Sequence, residues 1–229
     1  MFLSIEGSVT APRDSFRYEP CPLLPTSQDV LDTPSCRLAI DGTTRPGVFD
    51  VLEDTASAYG SVFFEYGVGE RLTFGIDAGY VWEDDSWTAL AFARRSFQSD
   101  GPNVWALEMA AGAGTSFDGS DVTVFRPGLH WGRGTPWGWL GAESYLVHRT
   151  DLDGMAYKLD LTAGWNRSDR VAWIAQILTA DYPGSDTSVR LAPSHVWKLN
   201  DTVRLRTGAL ADLAGGKEVG VVLATWFEF

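Results

Sequence analysis

From residue 55 to the C-terminus, apolar side chains return at every second position in runs of about ten residues, broken by short turns. The clearest run is Arg71–Trp82. Leu72, Phe74, Ile76, Ala78, Tyr80 and Trp82 share one face, and Arg71, Thr73, Gly75, Asp77 and Gly79 share the other. In Val104–Gly114, Trp105, Leu107, Met109, Ala111 and Ala113 oppose Ala106, Glu108, Ala110 and Gly112. In Tyr157–Asn166, Tyr157, Leu159, Leu161, Ala163 and Trp165 oppose Lys158, Asp160, Thr162 and Gly164. Thr202–Leu210 sets Val203, Leu205, Thr207 and Ala209 against Arg204 and Arg206. A period of two is the mark of a strand whose two faces meet different surroundings.

The remaining runs alternate less cleanly. They are Phe2–Thr10, Tyr59–Val68, Trp87–Phe97, Val122–Gly132, Gly138–His148, Val171–Ala180, Thr187–Leu199 and Glu218–Phe229, which brings the expected total to twelve strands, with ten as the alternative. No stretch keeps a helical period. With 45% hydrophobic residues the mean hydropathy is only −0.08, and no run approaches the roughly 18 apolar residues of a spanning helix. If the chain crosses a membrane, the other structure that satisfies every backbone polar group is a closed antiparallel barrel. The expected fold is therefore an all-β transmembrane barrel forming one domain over 1–229.

An even strand count returns both termini to one side and sorts the connections into two sets. One set is Gly67–Arg71, Gln98–Asn103, Gly132–Pro136, Asn166–Arg170 and Leu199–Asp201; the other is 11–58, Glu83–Ser86, Thr115–Ser120, Arg149–Gly154, Asp181–Asp186 and Ala211–Lys217. Glu83, Asp84, Asp85, Asp118, Asp151, Asp153, Asp181 and Asp186 fall in the second set, whereas Arg71, Arg133, Arg167 and Arg170 fall at the first. Trp82 and Trp87 flank one turn of the second set. Trp105, Trp131, Trp137, Trp139, Trp165, Trp173, Trp197 and Trp226 lie near the first. Tryptophan concentrates where hydrocarbon meets water, with its ring buried and its N–H wet.

The hairpin Phe64-Glu-Tyr-Gly-Val-Gly-Glu-Arg-Leu-Thr-Phe-Gly-Ile-Asp77 resembles one found in porin-like and transporter-like outer-membrane proteins of Gram-negative bacteria, including channels of phenol-degradation pathways. The C-terminal strand, with Phe227 and a final Phe229, is similar to the terminal strand that the barrel-assembly machinery reads in such proteins. Residues 59–229 carry the resemblance. It implies an outer-membrane address, contact with outer-membrane lipids and lipopolysaccharide, termini on the periplasmic side, and residues 11–58 as one long extracellular loop. Met1-Phe-Leu-Ser-Ile-Glu has neither a basic region nor a long apolar stretch of the secretory kind, so a processed or misassigned start is expected. Cys21 and Cys36 lie in the Pro-rich 11–58 segment. In an oxidising compartment they could close a disulfide worth about 3 kcal/mol; the alternative is two unrelated thiols.

The face opposite the lipid row is the expected interior. It holds Arg71, Asp77, Glu108, Lys158, Asp160, Gln176, Arg190, Lys198, Arg204, Arg206 and Glu218. Arg190, Lys198, Arg204 and Arg206 come from neighbouring strands, and Asp77 and Glu108 from the far part of the barrel. Opposed basic and acidic walls would create a transverse field that favours polar or charged solutes. Charges paired across a narrow interior would plug it instead. The leading functional expectation is a passive channel or binding protein for small polar solutes, followed by a non-conducting structural or surface barrel.

Enzymatic readings are weaker. Ser194 and His195 are adjacent on a strand and point to opposite faces. His148 lies near acids Asp151 and Asp153 at a loop end, the one place for a lipid-modifying enzyme. Asp84/Asp85 and Asp151/Asp153 could hold Ca²⁺ or Mg²⁺, but solvated acidic loops read more simply. There is no Cys/His metal spacing. Gly112-x-Gly114 does not sit between a strand and a helix, so no phosphate loop and no cofactor are expected. Net charge −12 argues against nucleic acid as a partner.

Overall fold

A strand with two unlike faces needs a partner on both edges, and closing the sheet on itself supplies one for every strand. The computed structural model describes residues 1–12, 57–98, 101–116 and 118–228. They form twelve strands: β1 (Phe2–Pro12), β2 (Ser57–Val68), β3 (Leu72–Val81), β4 (Ser86–Gln98), β5 (Asn103–Thr115), β6 (Asp121–Thr135), β7 (Gly138–Arg149), β8 (Met155–Asn166), β9 (Val171–Asp181), β10 (Ser188–Lys198), β11 (Val203–Ala214) and β12 (Glu218–Glu228). Each strand pairs with its sequence neighbours, and β1 joins β12 to close the barrel. The count of twelve holds, and the observed limits differ from the expected ones by a few residues. Cys21, Cys36, Phe229 and most of the 11–58 segment lie outside the described residues.

The register runs unbroken along most ladders, as in β5–β6 from Asn103↔Arg133 to Thr115↔Asp121. Two interruptions sit at prolines, which have no N–H to donate. The β6–β7 pairing skips from Phe125↔His148 to Gly128↔Tyr145 beside Pro127. The β10–β11 pairing skips from Leu191↔Ala211 to Ser194↔Gly208 beside Pro193, and it carries a bulge between Val189 and Arg190. Both prolines still pair with the strand on their other side, Pro127 with Met109 and Pro193 with Ala175.

Ile76, Leu107, Met109, Tyr157, Val221 and Leu223 are each more than half exposed on the outer wall. A monomer in water does not carry such a continuous apolar surface, and lipid is the solvent that fits it. At the end bearing the shorter turns, aromatic pairs ring the outside. Trp105 and Trp131 lie 6.5 Å apart, Trp137 stacks on Trp165 at 5.5 Å, and His195 stands between Trp173 and Trp197. Two tryptophans near that end point inward instead. Trp139 lies over Gly164, and Trp226 packs beside Phe2 at 6.2 Å.

Inside, Leu90, Phe92, Ala110, Val122, Val124, Val147 and Ala156 form a buried cluster with Phe63, Tyr145 and Tyr182 against it. A smaller one joins Ala192, Leu210 and Val222 with Leu178. Gly112 marks a close approach in the wall, since a Cβ there would run into the Ala89 carbonyl. Gly112→Val should therefore cost about 1–3 kcal/mol through overpacking, read as a lower denaturation midpoint of the refolded barrel. The β2–β3 turn needs glycine for another reason: Gly69 has φ +70°, where a side chain is strained.

Candidate functional site: the barrel interior

The inward row of each strand delivers its polar groups to two networks. The first centres on Glu108 of β5, whose side chain is almost fully buried. Arg126 of β6 reaches it at 3.1 Å and reaches Asp77 of β3 at 2.6 Å. Arg94 of β4 bonds Glu65 of β2 and stands 3.8 Å from Glu108. His130 of β6 places Nε2 3.4 Å from Glu108, without an aligned hydrogen bond, and Nδ1 3.9 Å from Glu143 of β7. The Tyr145 hydroxyl donates to Glu143 at 3.0 Å, while its ring lies under the Arg126 guanidinium at 4.8 Å and edge-on to His130. The Arg126 Nε–H is buried with no acceptor among the described residues.

The second network lies across β9–β12 and β1. Arg206 of β11 donates to Ser194 at 3.1 Å and to Glu6 of β1 at 3.3 Å, and it also bonds Gln176 of β9. Arg190 of β10 donates to Asp212 at 2.9 Å and to Glu218 at 3.3 Å. Glu218 also accepts from Thr10, and its N–H donates to Asp212, which ties β12 to β1 and β11. At the shorter-turn end, Arg204 pairs with Glu228 and Lys198 with Asp201.

The sequence-derived lumen residues are distributed as follows. Asp77 and Glu108 meet in the first network, Arg190 and Arg206 enter the second, and Lys198 and Arg204 sit near one rim. Arg71 is exposed in the β2–β3 turn, where its carbonyl accepts the Ser96 N–H at 2.8 Å. Lys158 lies over the Tyr182 ring at 5.7 Å, and Asp160 stands directly across from Glu143 on the β7–β8 ladder. The expectation of opposed basic and acidic walls needs correcting. Each wall carries both signs, because an arginine on one strand reaches a carboxylate one to three strands away. Arg94, Arg126, His130, Glu65, Glu143 and Glu6 were absent from the sequence-derived set.

Beside the first network, toward the mouth opposite the short turns, lies a cavity of about 250 Å³. The Tyr59 and Tyr182 rings line it, as do the apolar side chains of Leu90, Val124 and Val147, with Asp77, Arg126, Arg149 and Lys158 supplying its charges. The loops around this mouth spend their carboxylates locally. Asp84 is held below its ordinary range by hydrogen bonds from Ser86, and Asp151 by the Arg149 guanidinium, which donates to it at 2.8 and 3.0 Å. Asp85 accepts from Tyr80 at 2.5 Å. Among the described residues no cluster of three or more His, Cys, Asp or Glu is arranged to hold a metal.

Asp118 accepts from the Ser116 and Ser120 hydroxyls and from the Ser120 N–H at 3.0 Å, which pulls its carboxyl down to about 2. The folded value is below the unfolded one, so the turn is reinforced above the ordinary range near about 4. That support disappears as pH falls through about 2. An NMR titration of the Asp118 carboxyl should have its midpoint near about 2; an unshifted midpoint would mean the serine cage does not form.

The two histidines raised by the sequence face outward. His195 sits between two tryptophans of the outer ring. His148 pairs across the ladder with Met155, while Arg149 beside it takes the nearby Asp151.

No family model and no curated protein matches the chain. Solved structures do match its fold. A structure described as KdgM porin superposes with TM-score 0.63 at 7% identity, over 76% of this chain and 93% of that one. KdgM porin in complex with disordered oligogalacturonate gives 0.61 at 8% identity over the same shares. NanC porin gives 0.58 at 8% identity, over 99% of this chain and all of that one. The fold is that of porin-like barrels.

Proposed function

We propose that this chain is a bacterial outer-membrane barrel that passively passes or binds small polar solutes. The observation that carries the reading is the pairing of an apolar outer wall with an interior of charged, hydrogen-bonded side chains inside a closed twelve-strand barrel. Lipid suits the first surface, and water or a polar solute suits the second. Likeness in fold to KdgM and NanC porins supports the same location and the same non-enzymatic role. In this orientation both termini face the periplasm and residues 11–58 face outward. The assembly machinery, outer-membrane lipids and lipopolysaccharide are then its partners.

The solute class named for a neighbour fits the paired interior arginines poorly. Oligogalacturonate is a polyanion, and a polyanion is held by cations that lack internal partners. Here Arg94, Arg126, Arg190, Arg204 and Arg206 all have carboxylate partners. A non-conducting barrel is the second reading, favoured by the apolar cluster around Phe92 and Val124 that occupies part of the interior. Conductance of the purified, refolded protein in a planar bilayer decides between them. Discrete channel events are expected. A silent bilayer, with residues 11–58 present or deleted, would leave the non-conducting barrel.

A further inference from the structure

Two arginines stand on the outward row of the wall, near the short-turn end. Arg95 of β4 follows the inward Arg94, and Arg133 of β6 lies two positions beyond Trp131 on the same row; both are exposed. Their ladder partners carry no charge: Leu72 and Leu107 flank Arg95, and Asn103 and Leu140 flank Arg133. Neither has an ion pair with a described residue. The Arg95 guanidinium lies over the Phe97 ring at 5.5 Å. Phe97 is on the short-turn side of Arg95, so the charged head leans toward the water boundary while its stem stays on the apolar wall. Between the two arginines the outward row carries Phe97, Trp105 and Trp131, directly across from one another on neighbouring strands. An apolar groove of about 720 Å³ adjoins this belt, with Leu107, Met109, Pro127, Leu129, Leu146 and Leu159 along its sides. It exists because the short Ser144 side chain of β7 lies directly across from Leu129 on one ladder and from Leu159 on the other. Leu107 joins the groove to the belt, since it faces Arg95 on one ladder and Leu129 on the next.

We infer that this face binds one anionic phospholipid, its phosphate between Arg95 and Arg133 and an acyl chain in the Leu107–Leu129–Leu159 groove. The inference rests on the reading of the barrel as membrane-spanning and names a lipid that its wall selects. Guanidinium and phosphate match in charge and in hydrogen-bond geometry. The aromatic belt sets the depth, because tryptophan rings settle where headgroups meet hydrocarbon. The groove then receives the chain on the hydrocarbon side of that boundary. The whole protein would repel such a lipid, since its net charge is −12. A preference for an anionic headgroup must therefore come from local cations.

Native mass spectrometry of the full-length refolded barrel, titrated with phosphatidylglycerol and with phosphatidylcholine of the same chains, tests the site. Phosphatidylglycerol should form a one-to-one complex at least about fivefold more tightly than phosphatidylcholine, the weight of one arginine at a membrane surface. Arg95→Gln with Arg133→Gln should erase that preference. Arg167→Gln, in the β8–β9 turn, removes the same kind of charge outside the face and should leave it intact. Ser144→Trp fills the groove and should weaken both lipids alike without changing their ratio. Gel mobility with and without heating shows that each variant is folded. Equal binding of the two lipids, a preference that survives the double variant, or one that Arg167→Gln also removes, overturns the site. Unchanged binding of both lipids to Ser144→Trp overturns the groove as the seat of the chain. A barrel that conducts but does not distinguish the lipids keeps the passage and loses this inference. A barrel that prefers phosphatidylglycerol through Arg95 and Arg133 but never conducts keeps the site and loses the passage.

Discussion

Glu108→Ala lowers the stability of the folded barrel by about 3–5 kcal/mol, the cost of leaving buried charge without its partner. Glu108 is the common partner of Arg126, Arg94 and His130, and its side chain is almost sealed from solvent. Its removal strands Arg126 with Asp77 alone and leaves Arg94 with Glu65 alone. It also empties the position of one of the largest fully buried side chains among the described residues. Glu108→Gln, which keeps the shape and one acceptor, should cost less than Glu108→Ala. Equilibrium unfolding of the refolded protein in urea measures both. A shift under about 1 kcal/mol for Glu108→Ala, the scale of exposed pairs, would show that water reaches and solvates this network.

Removing Phe229 should abolish assembly in the outer membrane while leaving refolding in detergent nearly intact. Phe229 lies outside the described residues, and β12 supplies the structural side of this expectation. That strand is paired with β11 up to Val203↔Phe227 and must also find β1 to complete the ring. Loss of one terminal residue removes none of those ladder pairs, so the isolated barrel keeps its wall. If the assembly machinery reads the Phe227–Phe229 segment, as proposed above, its loss acts before the ring has closed. The expected result is loss of the heat-modifiable form from cells with refolding in vitro preserved. Normal assembly in cells would remove the terminal strand as an address.

The twelve strands were legible because a lipid-facing row and an interior row must alternate. Where the interior row is polar, as with Lys158, Asp160 and Thr162 in β8, the face of each residue follows directly. It was hardest to read in β4 and β6. In β4 the outward row is Ala89, Ala91 and Ala93, while Leu90 and Phe92 point into the interior. In β6 Val122 and Val124 are likewise buried inside. Alternation of apolar and polar therefore fades in these two strands, and Arg94, Arg126 and His130 went unassigned with them. The pairing pattern was less legible still. Parity says that Arg206 and Glu6 both face inward, but these residues are 200 positions apart, and only ring closure brings β1 within reach of β11 across β12. Placing the basic residues on one wall and the acidic ones on the other treated neighbouring strands as isolated rows. Long arginine side chains cross between them.

The claim on which everything else depends is that alternate residues of one strand meet lipid and interior. Single cysteines at Lys158, Leu159, Asp160, Leu161 and Thr162, placed in a Cys21→Ser/Cys36→Ser background and labelled with a fluorophore, read this directly in liposomes containing a quencher on the acyl chains. Quenching should be strong at Leu159 and Leu161 and weak at Lys158, Asp160 and Thr162. A smooth gradient along the strand, or uniformly weak quenching, would contradict a membrane-spanning barrel.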